Sequence, residues 1–155
     1  MFAGRIALVT GGGGGIGRAV CRILARDGAR VVATDINSKS VEETVSMLVN
    51  PGEHVALSMN VTDKASVESV VKATIDKLQA PPSLVANIAG ITRDNFLLKM
   101  EERSFMDVLD VNVKGGREGE LCASWIHTNL NGRNCTGESP EEVVEAYSPQ
   151  QICTT

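Results

Sequence analysis

A run of five consecutive glycines near the start of the 155-residue chain constrains its fold more than any other feature. The run lies within residues 10–17, Thr-Gly-Gly-Gly-Gly-Gly-Ile-Gly, and it follows an apolar stretch of strand type at residues 6–9. Behind it, Val20, Ile23 and Leu24 recur at helical spacing, which predicts a helix. Glycines let the backbone turn sharply and approach a ligand closely, while the helix points its free N–H groups at the turn. The stretch therefore predicts a phosphate-binding turn, with a flexible loop as the alternative.

An acidic residue follows the glycines at a distance that suits a dinucleotide. Residues 31–34 form a second apolar run, and Asp35 ends it. Asp35 stands close to the spacing of about 20 residues at which a carboxylate accepts hydrogen bonds from the ribose hydroxyls of a dinucleotide. Strand, glycine turn, helix, strand and acid in this order predict dinucleotide binding, and the carboxylate favours NAD because it repels the 2′-phosphate of NADP. The alternative for Asp35 is a turn residue that ends the second strand.

Apolar strands and helices alternate along the first 115 residues. The pattern predicts strands at residues 6–9, 30–36, 54–59 and 84–87, helices between them, and a further helix at 101–113. Such alternation indicates an α/β fold built from parallel βαβ units. Aromatic residues make up only 3% of the chain, so the core is expected to be aliphatic, as in a parallel sheet covered by helices.

Several short motifs in this part of the chain resemble the short-chain dehydrogenase/reductase family. Thr10, Gly11, Gly15 and Gly17 match its fingerprint Thr-Gly-x-x-x-Gly-x-Gly. Three later segments match in order: Asn-Val at 60–61 for the family's Asp-Val, Asn-Ile-Ala-Gly at 87–90 for its Asn-Asn-Ala-Gly, and residues 111–115 for the segment with its catalytic asparagine. Residues 81–85 and 89–98 are most similar to the branch of 17-beta-hydroxysteroid dehydrogenase type 8 and the 3-oxoacyl-carrier-protein reductases. The resemblance covers about residues 2–115.

The resemblance implies a Rossmann-type doubly wound parallel sheet, here truncated to about four strands in the order 3-2-1-4. It implies an oxidoreductase that uses NAD to interconvert a ketone and a secondary alcohol, of 3-oxoacyl/3-hydroxyacyl thioester or 17-beta-hydroxysteroid type. It also implies an intracellular location, in the mitochondrial matrix or the cytoplasm. The cofactor-binding residues predicted on these grounds are Thr10, Gly11, Gly15, Ile16, Gly17, Asp35, Ile36, Asn60, Val61, Asn87, Ala89 and Gly90.

The catalytic residues that the resemblance implies are mostly absent from the printed sequence. The family uses a tyrosine, a lysine four residues later, a serine and an asparagine, and only Asn112 has a match. The single tyrosine, Tyr147, has Gln151 four residues on, and no lysine follows Lys114. For Asn87 and Asn112 a purely structural role is the alternative. Two interpretations therefore stay open: the N-terminal portion of a dehydrogenase, or a catalytically inactive nucleotide-binding fragment from an altered transcript.

The character of the sequence changes at residue 116. Two arginines and six glutamates after Gly116 account for the whole net charge of −4, and apolar residues become sparse. Residues 1–115 are thus predicted to form a dinucleotide-binding half-domain, and residues 116–155 an atypical tail, mostly irregular with a short helix near 140–147. A faint likeness of residues 125–130 and 140–144 to a later family segment leaves two origins open, a missing internal segment or unrelated sequence.

Several classes of partner are excluded by composition. The net charge of −4 argues against a nucleic-acid surface, and no apolar run approaches the roughly 20 residues of a membrane span. The chain opens without a signal-peptide pattern, so secretion is not expected. None of the four cysteines forms a Cys-x-x-Cys pair, so no metal site is predicted, and Cys21 is expected in the core. The expected partners are a dinucleotide and a small carbonyl or alcohol substrate. The helices through which the family associates are not found after Gly115, so no oligomer interface is predicted.

Overall fold

The computed structural model describes residues 2–116 and builds them around one parallel β-sheet. The strands are β1 (Ile6–Thr10), β2 (Arg30–Asp35), β3 (Val55–Ser58) and β4 (Leu84–Asn87), in the order β3-β2-β1-β4. The predicted α/β class and strand order are therefore confirmed. The predicted tail, apart from Gly116, and the helix predicted near 140–147 lie outside the described residues, so the domain boundary at 115 stays a prediction.

Four α-helices connect and cover the strands of the described part of the chain. They are α1 (Gly15–Arg26), α2 (Ser38–Ser46), α3 (Lys64–Leu78) and α4 (Glu102–Leu109), with short 3-10 helices at Pro51–Glu53 and Leu97–Lys99. The side chain of Asn37 caps α2 by accepting from the N–H of Ser40, and that of Asp63 caps α3 by accepting from the N–H of Ala65. Each cap satisfies a backbone donor that the first helical turn leaves unpaired.

The sheet separates two aliphatic clusters, one on each face. Successive strand residues point to opposite faces, so Leu8 packs with Val32 and Val71 on the side of α3, while Val9 packs with Cys21 on the side of α1. Burial raises the pKa of the Cys21 thiol to about 11. Near neutral pH this thiol therefore stays protonated, and Cys21 is a core residue as predicted.

The helical segments differ from the sequence pattern in two places. The helix predicted over 101–113 is α4, followed by a π-helical segment at Asp110–Lys114. A π-helical turn holds extra backbone and rotates the following side chains out of α-helical register, and Val113 is 61% exposed. In α1 the buried stripe runs through Gly17, Cys21, Leu24 and Ala25, which leaves Ile23 exposed.

A buried histidine links β2 to the connection that precedes β3. Nδ1 of His54 accepts from the N–H of Val31 at 3.0 Å, and Nε2 lies 2.8 Å from the carbonyl oxygen of Val49. Because Nδ1 accepts, Nε2 carries the proton and donates to Val49. His54 therefore satisfies the backbone donor of a residue that is 0% exposed at the start of β2.

We expect His54→Ala to destabilise the fold by about 1–3 kcal/mol, because the N–H of Val31 loses its acceptor inside the core. Urea denaturation of the variant and the unmodified chain measures the difference in the free energy of unfolding. Glu53→Ala, at an exposed neighbouring position, is the control and should change that free energy by less than about 0.5 kcal/mol. Equal unfolding curves for the two variants would contradict the structural role of His54.

Candidate dinucleotide site

The glycine turn between β1 and α1 closes through contacts with backbone atoms that leave no room for side chains at Gly11 and Gly17. Gly11 has a φ of +70°, and a Cβ there would lie 2.8 Å from the Cα and N atoms of Ala89. A Cβ on Gly17 would lie 2.0 Å from the carbonyl oxygen of Gly11. At Gly15 a Cβ would meet no heavy atom within 4 Å. The turn therefore needs glycine at 11 and 17 for its own closure, whereas Gly15 borders open space.

Thr10 joins the ends of β1 and β4. Its hydroxyl oxygen accepts from the N–H groups of Ile88 at 3.0 Å and Ala89 at 3.1 Å. The side chain is buried, with 3% of the residue exposed. These bonds place residues 88–90 beside the glycine turn, at the carboxyl ends of the strands. That edge, where the strand order reverses between β1 and β4, is where open α/β sheets bind ligands.

Asp35 ends β2 with its carboxylate facing the glycine turn. Oδ2 accepts from the N–H of Gly13 at 3.2 Å, and Oδ1 accepts from the N–H of Asn37 at 3.2 Å. The residue is half-buried. These contacts are those of a turn residue at the end of β2, and they fix the carboxylate beside the glycine turn; its role in binding a dinucleotide stays a prediction.

The end of β3 is shaped by a local turn. Oδ1 of Asn60 accepts from both the N–H and the hydroxyl of Thr62, at 3.0 and 2.8 Å, and the N–H of Asn60 donates to Ser66 Oγ at 3.0 Å. A Cβ on Gly115 would lie 2.7 Å from Cγ2 of Val61. The chain that follows the π-helical segment therefore packs directly against Val61.

The two asparagines that match family motifs bind backbone groups. Oδ1 of Asn112 accepts from the N–H of Ile91 at 2.8 Å, and Nδ2 donates to the carbonyl of the same residue at 3.0 Å. Nδ2 of Asn87 donates to the carbonyl of Gly116 at 3.4 Å. Asn112 thus fastens the π-helical segment to the chain after β4, which is a structural role; its catalytic assignment stays a prediction.

Two adjoining clefts contain the residues predicted to bind the cofactor. The first has a volume of about 340 Å³ and lies along the glycine turn and the ends of the strands. Its walls include Gly11, Gly15, Ile16, Gly17, Asp35, Ile36, Asn60, Val61, Ala89 and Gly90. The second has a volume of about 520 Å³ and shares Val61 and Ala89 with the first; its walls add Thr10, Asn87 and Asn112. Ile16 and Ile36 are 75% and 72% exposed, so the first cleft offers apolar side chains to a ligand.

Arg18, in the first turn of α1, is not among the site residues predicted from the sequence. Its guanidinium donates to Thr44 Oγ1 at 3.1 Å and to the carbonyl of Gly13 at 3.3 Å. One sequence signal was available: a cation in the first turn of a helix opposes the helix dipole and needs compensation from elsewhere in the fold. The compensating acceptors on α2 lie more than twenty residues away in sequence, beyond the reach of local patterns.

Residues 2–116 contain neither a membrane-spanning helix nor a cluster of metal-binding side chains. No helix in this range is long and apolar enough to cross a membrane. Within the same range, no three histidine, cysteine, aspartate or glutamate side chains gather into a group that could hold a metal ion.

The chain is similar in sequence to proteins about twice its length. The model of a family described as short chain dehydrogenase matches residues 5–119. The (3R)-3-hydroxyacyl-CoA dehydrogenase of Rattus norvegicus is 40% identical over 118 residues, which cover 71% of this chain and 46% of that protein. The 3-oxoacyl-acyl-carrier-protein reductase FabG of Escherichia coli is 39% identical over 115 residues, covering 72% and 45%. The chain therefore spans about half the length of the curated relatives it matches.

Solved structures show the same fold. Levodione reductase is 29% identical with a TM-score of 0.76, covering 83% of this chain and 51% of that one. The 3-ketoacyl-(acyl-carrier-protein) reductase of Brucella melitensis, solved with NADH, is 24% identical with a TM-score of 0.75, covering 84% and 52%. The second likeness concerns the fold alone.

Proposed function

Because this chain belongs to the short-chain dehydrogenase family, we propose that residues 2–116 form the NAD-binding half of an oxidoreductase that interconverts a ketone and a secondary alcohol. The observation that carries the proposal is the cleft in which a side-chain-free turn and the Asp35 carboxylate face the same space. The names of the relatives support a 3-hydroxyacyl or 3-oxoacyl thioester as the substrate class. A 17-beta-hydroxysteroid is the second substrate class that we propose.

The residues of the cleft fit a dinucleotide in chemistry and in space. The start of α1 supplies N–H groups and the positive end of a helix dipole for the pyrophosphate, and Gly15 leaves the approach open. The Asp35 carboxylate accepts from the hydroxyls of the adenosine ribose. Ile36 and Val61 offer apolar contact to the adenine. When bound, the nicotinamide supplies or takes the hydride of the reaction.

The preference for NAD over NADP follows from Asp35 in this proposal. A 2′-phosphate would bring negative charge against the carboxylate, whereas a 2′-hydroxyl donates to it. Titration of the 155-residue chain with NADH and NADPH, followed by the fluorescence of the reduced nicotinamide, tests both the binding and the preference. If the chain binds neither NADH nor NADPH, the proposed function is contradicted.

We expect Asp35→Ala to weaken NADH binding by about 1–3 kcal/mol, the scale of hydrogen bonds to a charged group, and to relax discrimination against NADPH. Asp76→Ala, at an exposed position on α3, is the matched control and should leave both affinities unchanged. Equal affinity of the unmodified chain for NADH and NADPH would count against the role of Asp35.

A second candidate function is dinucleotide binding without turnover. It is favoured by one observation in the printed sequence, where Tyr147 is the single tyrosine and Gln151 occupies the position four residues later. Ketone reduction by the 155-residue chain would exclude this candidate.

A further inference from the structure

We propose that Arg18 is a positioning residue that holds the Asp35 carboxylate in place and thereby sets the preference of the cleft for NAD over NADP. The inference rests on the proposed function, because it concerns the same cleft. The guanidinium of Arg18 does not touch the dinucleotide in this proposal. It acts on Asp35 through the glycine turn and α2, and Asp35 distinguishes NAD from NADP.

The guanidinium of Arg18 connects the glycine turn to α2. Nε donates to Thr44 Oγ1 at 3.1 Å, and Nη2 lies 3.3 Å from the carbonyl oxygen of Gly13 and 3.5 Å from that of Ser40. Nη2 also lies 3.5 Å from Glu43 Oε2. The side chain is 29% exposed, so these charge-assisted bonds form in a partly desolvated setting. The positive charge is therefore committed to α2 and the turn, and it is not free for a 2′-phosphate.

Thr44 carries this connection to the peptide group that faces Asp35. Its hydroxyl accepts from Arg18 and lies 2.9 Å from the carbonyl oxygen of Gly12, to which it donates. The same hydroxyl lies 2.8 Å from the carbonyl oxygen of Ser40, so its proton is shared between two acceptors. Thr44 is 0% exposed, which protects both bonds from competing water.

The peptide group between Gly12 and Gly13 is planar and trans, so its carbonyl and its N–H point in opposite directions. The carbonyl is held by Thr44, and the N–H donates to Asp35 Oδ2 at 3.2 Å. Fixing one end of this group therefore aims the other end at the carboxylate. Arg18 of α1 holds the next carbonyl, that of Gly13, so both peptide groups that flank Gly13 are constrained, one by Thr44 and the other by Arg18.

This constraint matters because the segment has no side chains of its own to fix it. Glycines at 12 and 13 populate a wide range of backbone conformations. The turn lies tight against α2, since a Cβ on Gly13 would be 2.6 Å from Ser40 Oγ. Without Arg18, the Thr44 hydroxyl loses its donor and the Gly13 carbonyl loses its partner, so the N–H of Gly13 is held less firmly and the Asp35 carboxylate can turn toward water. Its bonds to a ribose and its repulsion of a 2′-phosphate then weaken together.

The alternative role for Arg18 is direct attraction of the pyrophosphate by its charge. NADH and NADPH share the pyrophosphate, so that role changes both affinities equally and leaves their ratio unchanged. The ratio of the two dissociation constants, NADPH over NADH, is therefore the quantity that separates positioning from simple attraction.

The experiment titrates the full chain and its variants with NADH and NADPH at one ionic strength, with a thermal melt of each. We expect Arg18→Ala to lower the ratio about tenfold, the scale of one charge-assisted hydrogen bond. Thr44→Val is expected to lower it severalfold. Two matched controls should leave the ratio unchanged. Arg22→Ala removes an exposed arginine one turn further along α1. Thr74→Val removes the hydroxyl of a 0% exposed threonine, which donates to the carbonyl of Val70 in its own helix.

Two further variants test the route through Asp35. In an Asp35→Ala background, Arg18→Ala should leave the ratio unchanged, because the group it positions is gone. Arg18→Lys keeps the charge but cannot reach Thr44 and Gly13 together, so it should also lower the ratio. The inference is overturned if Arg18→Ala leaves the ratio unchanged, if its effect adds to that of Asp35→Ala, or if Arg18→Lys has the ratio of the unmodified chain. Each of these results leaves the proposed function standing. Absence of NADH binding by the unmodified chain overturns the proposed function and this inference with it.

Discussion

Replacing Gly17 by alanine is expected to destabilise the fold by about 3 kcal/mol or more, a large part of the roughly 5–15 kcal/mol by which native proteins are stable. The added Cβ would lie 2.0 Å from the carbonyl oxygen of Gly11, 2.7 Å from its carbonyl carbon and 2.9 Å from the Cα of Gly12. All three are backbone atoms of the glycine turn, so no side-chain rotation relieves the overlap. The turn must open, and β1 and α1 must separate from each other, before the methyl group fits.

Gly15→Ala is the matched control for this prediction. A Cβ there meets no heavy atom within 4 Å, and alanine favours the helix that begins at this residue. The free energy of unfolding should stay the same or rise by up to about 1 kcal/mol. Because Gly15 lines the first cleft, its methyl group should instead weaken NADH binding, about tenfold at least. Urea denaturation and NADH titration measure the two effects separately. Equal losses of stability in the two variants would contradict the geometry of the turn.

Gly15 and Gly17 show what the glycine pattern can predict and what it cannot. Five consecutive glycines satisfy the fingerprint in several ways, and the residue type alone does not tell which positions close the turn and which face a ligand. The answer depends on where Ala89 and the first turn of α1 lie, and these are tertiary placements. By contrast, β1 and β2 follow directly from apolar runs, because a strand covered on both faces has little freedom in composition.

Features that join distant parts of the chain had weak sequence signals or none. His54 is the first residue of the strand predicted at 54–59, and its two bonds to backbone appear only once β2 and the loop after α2 come together. The π-helical segment at Asp110–Lys114 has no residue pattern of its own, yet it determines where Asn112 lies. The motif match identified Asn112, while its pairing with the backbone of Ile91 required the fold.

The largest expected effect concerns turnover. The 155-residue chain should bind NADH yet reduce acetoacetyl-CoA at least about 10⁴-fold more slowly than ordinary enzymes, whose turnover numbers run from roughly 1 to 10³ per second. Proton transfer by a positioned side chain contributes roughly 10²–10⁴-fold, and a free tyrosine with a pKa near 10 is a poor base at neutral pH. The family's chemistry places a lysine four residues after its tyrosine, and Gln151 stands there after Tyr147. Losing the serine removes a donor to the reacting oxygen, which costs about 10²–10³-fold more.

A rate of zero is informative only if the same sample is folded and binds the dinucleotide. Ligand linkage provides that evidence, because NADH at about 100 times its dissociation constant stabilises the folded state by about 2.7 kcal/mol. In a domain of this size such a gain raises the melting temperature by several degrees. A thermal melt with and without NADH therefore shows whether each sample is folded and binds NADH before its rate is measured. A raised melting temperature with no ketone reduction supports binding without turnover. A raised melting temperature together with turnover near 1 per second would show that another group of this chain moves the proton. Since Asn112 is the one match to the family's catalytic residues, Asn112→Ala would then test whether that turnover depends on it.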